Sequence, residues 1–379
     1  MKILQLGKFY PIAGGVEKVM WDLTRGISRC GVDCDMLCAV LRDNVDVLSV
    51  MGPHGRWVEQ MIEFNEHGQC ICVAAGRKVA ATMLSPAMVL WLRKHKGEYD
   101  VIHVHHPDPM ACVSLFLSGY KGKVVLHWHS DILKQKGLLK FYEPLQAWLI
   151  RRADVILGTS PVYVKESPYL KGVQDKVSYL PIGVEDNLRD TGISVDGGRK
   201  VVFSMGRLVE YKGYEYLVDA AKYLPDDYVI HIGGNGPLRE ELESRIIDAG
   251  LERKVKLLGH IPDRELPQRY NSCDVFVMSS VMKTEAFGIV QIEAMSCGKP
   301  IVATHIPGSG VDWVNEDGVS GLNVPIEDPE ALAAAIVAIC SDPVRYREYC
   351  AASRRRYERL FSFDAMIDGA LAVYGRLLK

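Results

Sequence analysis

Short β-branched and apolar runs alternate with longer stretches of helical periodicity along almost the whole chain, and that alternation leaves few folds open. Strands are predicted at Ile3–Leu6, Cys34–Ala39, Gln69–Val73, Val101–Val104, Val124–Trp128, Val155–Gly158 and Val177–Leu180. Helices fit Val16–Ser28, Ala87–Lys94, Leu138–Arg152 and Val162–Tyr169 between them. The stretch from Glu185 to Arg199, rich in Asp, Gly, Ser and Thr, reads as a linker. A second set opens at Val201, with strands at Val229–Ile232, Val255–Leu258, Val275–Met278, Ile301–Ala303 and Leu322–Val324. Its helices fit Tyr214–Tyr223, Leu238–Ala249 and Glu265–Asn271, and from Asp328 the pattern is almost wholly helical. Strands separated by helices pair in parallel, because only a long crossover returns the chain in the same direction.

At 379 residues the chain exceeds what one core usually holds. The expected class is therefore α/β: two doubly wound parallel-sheet, Rossmann-like domains facing across a cleft. They would span 1–188 and 189–362, the last helix (363–379) returning to the first. Phe361-Ser362-Phe363-Asp364 reads as the break and cap before that helix. Ligands of such sheets bind at the carboxyl ends of the strands.

Composition narrows the function classes. A content of 48% hydrophobic and 24% charged residues is that of a globular protein, and no apolar run reaches the length of a membrane span. The opening Lys2-Ile3-Leu4-Gln5-Leu6 is too short for a signal peptide, which points to a cytoplasmic protein. Net charge is −2; residues 1–190 carry 23 Lys and Arg against 20 Asp and Glu, too slight a bias for a nucleic-acid partner. The ten cysteines form no Cys-x-x-Cys pair and read as reduced, buried thiols, with Cys70-Ile71-Cys72 as strand alternation.

The segment from Glu285 to Glu293 sets two carboxylates eight positions apart around Gly288. The first precedes Phe287-Gly288, where a loop should become a helix, and the second falls in that helix's first turns. Free N–H groups at such a helix start make an anion site. Gly206-Arg207 follows the first strand of the second set and Lys212 precedes a helix, so a guanidinium fork and a mobile ammonium are available to phosphate. Gly14-Gly15 before the first helix, and Gly233-Gly234-Asn235-Gly236-Pro237 after a later strand, permit close backbone approach to a ligand or simply tight turns. The first of these is not Gly-x-Gly-x-x-Gly, which disfavours a dinucleotide cofactor. His103 and His105 share one face of a strand, as do His127 and His129. Spacing suggests no third metal ligand; His129, with Ser130 and Asp131, is placed to hydrogen-bond a sugar, and His103 to sit in the core. Asp33-Cys34-Asp35 matches a metal-binding Asp-x-Asp in letters only, at a strand start, so no metal site is expected.

Taken together, Gly14-Gly15-Val16-Glu17, His129-Ser130-Asp131, Ser160-Pro161, Gly206-Arg207, Lys212-Gly213, Gly233 to Pro237 and Glu285 to Glu293 resemble family 4 of the retaining glycosyltransferases, of the two-domain GT-B architecture. The likeness covers essentially the whole chain, and its Glu-x7-Glu element is the most specific part. The resemblance implies that Arg207 and Lys212 bind the donor's diphosphate, that Glu285 contacts the donor sugar and that Glu293 binds the nucleotide ribose. It implies that backbone amides of Phe287, Gly288, Ile289 and Val290 hold the phosphates, with Gly234 packed against the nucleotide. Gly14 and Gly15 would approach the donor from the other domain, and His129 would touch the transferred sugar near the reacting carbon. It further implies same-face attack with the departing phosphate as base, and no cofactor: the nucleotide-sugar is a substrate.

His129-Ser130-Asp131-Ile132 and Thr159-Ser160-Pro161 are similar to mannosyltransferases that build bacterial surface polysaccharides. GDP-mannose is then the favoured donor, a UDP-sugar the alternative, and a glycan or lipid-linked oligosaccharide the acceptor. The segment Ile132–Arg152 interleaves Lys134, Lys136, Lys140, Arg151 and Arg152 with Leu133, Leu138, Phe141 and Trp148. It suits either peripheral contact with the inner face of the cytoplasmic membrane or an ordinary packed helix. A sugar-nucleotide epimerase is the nearest enzymatic rival, and a non-catalytic nucleotide-sugar-binding subunit the other.

Overall fold

The computed structural model describes residues 1–12, 14–41, 58–79, 82–132, 136–187 and 198–379, with the side chains of 59, 60, 79 and 136–141 also outside the description. Most of the predicted linker, the expected domain boundary at 188–189, and Leu133 and Lys134 of the basic segment lie outside the described residues. The chain forms two compact units, Met1–Ile182 with Met366–Lys379, and Gly183–Ala365.

The first unit begins with β1 (Lys2–Phe9), α1 (Gly15–Arg29), β2 (Asp33–Leu41), β3 (Val58–Asn65) and β4 (Gly68–Ala75). It continues with β5 (Arg77–Val79), β6 (Thr82–Leu84), α2 (Pro86–His95), β7 (Val101–His106) and α3 (Pro109–Ser118). Then come β8 (Lys123–Trp128), α4 (Lys136–Arg152), β9 (Val155–Gly158), α5 (Pro161–Glu166) and β10 (Val177–Tyr179). Its main sheet has the order β10-β9-β8-β7-β1-β2-β4-β3, all parallel except that β3 runs against β4. From β1 the chain first moves to β2 and later returns to the other side at β7, so the order reverses between those two neighbours.

The second unit contains β11 (Lys200–Met205), α6 (Tyr214–Ala220), β12 (Tyr228–Gly233), α7 (Arg239–Asp248), β13 (Val255–Gly259) and α8 (Leu266–Ser272). It adds β14 (Val275–Met278), α9 (Ile289–Ser296), β15 (Ile301–His305), α10 (Val311–Val314), β16 (Gly321–Pro325), α11 (Pro329–Ser341) and α12 (Pro343–Arg356). Its sheet, β13-β12-β11-β14-β15-β16, is parallel throughout and reverses between β11 and β14. The last helix, α13 (Phe363–Leu377), is capped by the Ser362 hydroxyl at Ala365, and from Met366 onward it belongs to the first unit.

Local chemistry explains these elements. Along α1, Val19, Leu23 and Ile27 recur every fourth residue beside Met20, all buried, while Glu17 and Arg29 complement the helix dipole at its two ends. Helix α3 was not expected from periodicity, because it is apolar on most sides; its signal is Asp108, whose carboxylate caps Met110 and Ala111, followed by Pro109. Helix α5 stops three residues short of its expected end, since Ser167 precedes a proline and turns extended. Strand β3 and the small β5–β6 hairpin were also not expected. The second unit's core joins Ile230, Ile232, Val277 and Val302, from one face of its sheet, to Leu217 and Val218 of α6 and Ile336 of α11, each fully buried.

Candidate active site

In the second unit the candidate residues converge on the carboxyl ends of β11 and β14, the point where strand order reverses. Three loops are laced together there by main-chain bonds. Gly206 N–H donates to the Gly233 carbonyl (3.0 Å), Leu208 N–H to Asn235 (3.0 Å) and Val281 N–H to Tyr211 (2.9 Å). Gly234 has φ +120°, and a Cβ there would stand 1.9 Å from the Gly206 carbonyl oxygen. Packing between the loops after β11 and β12 is thus enough to require glycine at this position.

The loop after β14 carries Glu285, whose carbonyl accepts from the Ser309 hydroxyl and whose neighbour Ala286 accepts from Gly310 N–H at 2.9 Å. Glu285 Oε2 lies 2.5 Å from Lys212 Nζ, with both side chains almost covered, and 3.4 Å from the Ser280 hydroxyl. Burial alone would lower the lysine's pKa; Glu285, with Tyr214 and Tyr211, outweighs it and raises the value, so Lys212 stays charged. Gly288 caps α9 with φ +79° and no side-chain acceptor, and a Cβ there would strike Met278 Cε at 2.5 Å. The first amides of α9, at Ile289 and Val290, are therefore left for water or an anion. The Phe287 ring is buried edge-on against Phe361, so its part in such a site is its backbone.

Glu293, in the second turn of α9, accepts from the Tyr270 hydroxyl at 2.6 Å. Tyr270 is buried among Phe203 and Phe276. It was not picked out from the sequence, where nothing in its spacing ties it to a residue twenty-three positions on. Arg207 is exposed and pairs with no carboxylate among the described residues.

In the first unit, Gly14 caps α1 in an ordinary extended conformation, φ −135°, so positive φ is not what selects glycine there. A Cβ on it would lie 2.4 Å from the Glu17 carboxylate, which folds back over the helix start; Gly15 is exposed in the first turn.

His129 follows β8, its N–H held by the His106 carbonyl at 3.0 Å. Because β7 and β8 are neighbours with His105 opposite His127, the two same-face pairs merge into one buried group. His103 is in that core as expected, yet among the described residues its Nε2 has no partner, and neither does either nitrogen of His127. One oxygen of Asp131 is already engaged within the unit: Oδ1 accepts from Trp128 Nε1 (2.9 Å) and the Ser167 hydroxyl (2.7 Å).

Two groups among the described residues place three metal-ligating atoms within 4.8 Å of one another: His103, His105 and His127, and Cys38, Cys70 and Cys72. Spacing along one strand brings out neither trio, since a neighbouring strand supplies the third member. The Cys70–Cys72 alternation is real, but pairing with β2 adds Cys38 at 3.6 Å from each. Asp33 and Asp35 stand at the amino end of β2, where Asp35 accepts from Tyr99 (2.8 Å) and pairs with Lys2 (3.4 Å).

Two doubly wound parallel-sheet units in one chain, the second with its polar residues gathered where the strand order reverses, make the two-domain GT-B architecture. Comparison with known proteins gives the family. Residues 13–188 match the family described as Glycosyltransferase Family 4, and residues 190–357 that described as Glycosyl transferases group 1. The chain is 30% identical over 389 residues to O-antigen chain mannosyltransferase C of Escherichia coli, covering 100% of this chain and 99% of that one. It is 29% identical to D-rhamnosyltransferase WbpZ of Pseudomonas aeruginosa, over 96% of this chain and 92% of the relative. The structure of Anabaena Alr3699/HepE in complex with UDP superposes with a TM-score of 0.77 at 20% identity, over 99% and 100% of the two chains. The protein belongs to glycosyltransferase family 4 and has the GT-B fold. Among the described residues, no helix is long and apolar enough to cross a membrane.

Proposed function

We propose that the protein is a retaining mannosyltransferase that moves mannose from GDP-mannose onto a glycan or lipid-linked oligosaccharide in the synthesis of a surface polysaccharide. The observation that carries the donor half of this reading is the Lys212–Glu285 pair, 2.5 Å apart beside the uncapped start of α9. A diphosphate is a good leaving group once its charge is met, and an ammonium, the Arg207 guanidinium and helix amides meet it by preorganised electrostatics. Glu285 is then the ligand of the donor sugar and Glu293, held by Tyr270, that of the ribose. Phe287, Gly288, Ile289 and Val290 contribute amides, and Gly234 keeps the adjoining loops close. Gly14, Gly15 and His129 of the first unit are assigned to the donor and its sugar. The departing phosphate takes the acceptor's proton, and the ammonium, guanidinium and helix amides meet the diphosphate charge in place of a metal.

The choice of mannose leans on relatives described as mannosyl- and rhamnosyltransferases. A UDP-sugar is the second reading, favoured by the solved neighbour that holds UDP. Thermal shifts with GDP, UDP, ADP and their sugars separate the two, because a ligand of the native state stabilises in proportion to the logarithm of its concentration over Kd. Stabilisation by UDP-sugars alone would overturn the GDP assignment. Release of nucleoside diphosphate without any acceptor would point instead to an epimerase-like reaction. Full turnover in excess chelator is expected; strict dependence on an added divalent ion would remove the metal-free mechanism. The membrane contact assigned to residues 132–152 predicts co-sedimentation with vesicles that strengthens with anionic lipid.

A further inference from the structure

Five side chains of the first unit form one continuous hydrogen-bonded chain ending at His129. The Gln5 amide nitrogen lies 3.1 Å from the Tyr374 hydroxyl and 3.8 Å from Cys34 Sγ. The Tyr374 oxygen lies 2.6 Å from His103 Nδ1. The Gln5 carbonyl oxygen lies 2.8 Å from His105 Nε2, and His105 Nδ1 lies 2.9 Å from His129 Nε2. Gln5, His103, His105 and Tyr374 are completely buried, so none of these bonds is exchanged for water.

The amide of Gln5 gives the chain its direction. Its nitrogen donates its two hydrogens to the tyrosine oxygen and the cysteine sulfur, while its carbonyl oxygen can only accept. His105 must therefore carry its hydrogen on Nε2 and donate it to Gln5. A neutral imidazole has one N–H, so His105 Nδ1 is a bare acceptor, and the atom facing it, His129 Nε2, must be the donor. Burial, reinforced by the neighbouring rings, holds both histidines far below their usual range, so neither ring gains a second hydrogen near neutrality. Of the four nitrogens of these two rings, that leaves only the Nδ1 lone pair of His129 without a hydrogen-bond partner among the described residues.

The geometry points to Gln5 and His105 as positioning residues that lock His129 in its Nε2–H form, so that it accepts a hydrogen bond from a hydroxyl of the bound sugar and cannot donate one. This rests on the reading of His129 as a sugar contact. Tyr374, on the last helix, orients the Gln5 amide in turn.

Nitrogen-15 labelling of histidine, read by long-range nitrogen–proton correlation on the full-length protein, tests the hydrogen placement without any substrate; the His129→Ala spectrum assigns the signal. The expected result is hydrogen on Nε2 of His129, unchanged between about pH 6 and 8. Hydrogen on Nδ1 overturns the inference. In Gln5→Leu, His105 loses its acceptor and moves its hydrogen to Nδ1, which forces His129 to the Nδ1–H form; an unmoved His129 signal would equally defeat the argument. His105→Asn keeps an acceptor oxygen near the Nδ1 position and should retain turnover, whereas His105→Phe should lose about tenfold or more in kcat, the worth of one hydrogen bond at the reacting sugar. Equal losses in the two variants would leave only a structural role for His105. If the spectrum is as expected but His129→Ala turns over normally, the sugar contact of His129 falls and the hydrogen-bonded chain stands.

Discussion

The two units treat charge in opposite ways. At the carboxyl end of its sheet the second unit keeps full charges: Lys212 against Glu285, Glu293 held by Tyr270, and Arg207 exposed. At the corresponding end of its own sheet the first unit gathers His103, His105, His127 and His129, all buried and all held neutral by burial. A diphosphate needs the first kind of surface. Hydroxyl groups need the second, where direction matters and net charge would only be costly to desolvate. On the proposed assignment, the two units divide their labour by electrostatics as well as by sequence.

The sharpest way to break that contrast is pH. Five buried histidines, the four above and His106, have depressed values, about 3 for His106 and His127, with burial the main cause. An unfolded histidine titrates near 6.5, so below that value the unfolded chain binds more protons and stability is lost as pH falls. The expected cost is about 1.4 kcal/mol per histidine for each pH unit below about 6.5. Thermal melting should therefore drop steeply between about pH 7 and 5.5. A flat profile would mean that these rings are charged or wet in the fold.

A smaller effect falls in the second unit. Lys212→Ala strands Glu285 with little water around it, so stability should fall by about 3 kcal/mol. Turnover should drop roughly a hundredfold or more. Adding Glu285→Gln should restore much of the stability and none of the activity, which denaturant unfolding and kinetics can separate. Arg207→Ala should cost about 3 kcal/mol in transition-state stabilisation. Because Arg207 is exposed and unpaired among the described residues, its melting temperature should not move. A change in stability without a change in turnover would reverse its assignment.

The mildest test concerns Tyr270→Phe, which removes one hydrogen bond to a carboxylate, worth about 1.5–3 kcal/mol. The loss should appear mainly as a raised KM for the donor, since Glu293 would still be present but no longer held. An unchanged KM would detach Glu293 from the ribose.

Much of this was legible along the chain. Strand and helix alternation in both halves, the pairing of Glu285 with Glu293 around Gly288, and the basic pair Arg207 and Lys212 are local patterns. What was missed has a common cause. Strand β3 and helix α3 break or blur periodicity, and α3 announces itself only through the Asp108-Pro109 cap. The Tyr270–Glu293 bond, the engaged Oδ1 of Asp131 and the third member of each His and Cys group depend on which strands and helices become neighbours. Spacing within one strand says nothing about the strand beside it.

The sequence by itself determined the kind of fold, its two halves and the residue types available for phosphate, because periodicity, glycine turns and capping are short-range physics. Only the tertiary structure decided what those residues do to one another. Parallel pairing of β7 with β8 turned two histidine pairs into one buried group. Placement of Tyr374 beside Gln5, 369 positions apart, gave that group a direction. Burial then fixed the charge of each member, lowering the histidines while the Glu285 contact kept Lys212 protonated. Desolvation and long-range contact have no signature in the order of residues, and they are what separates a list of candidates from a site.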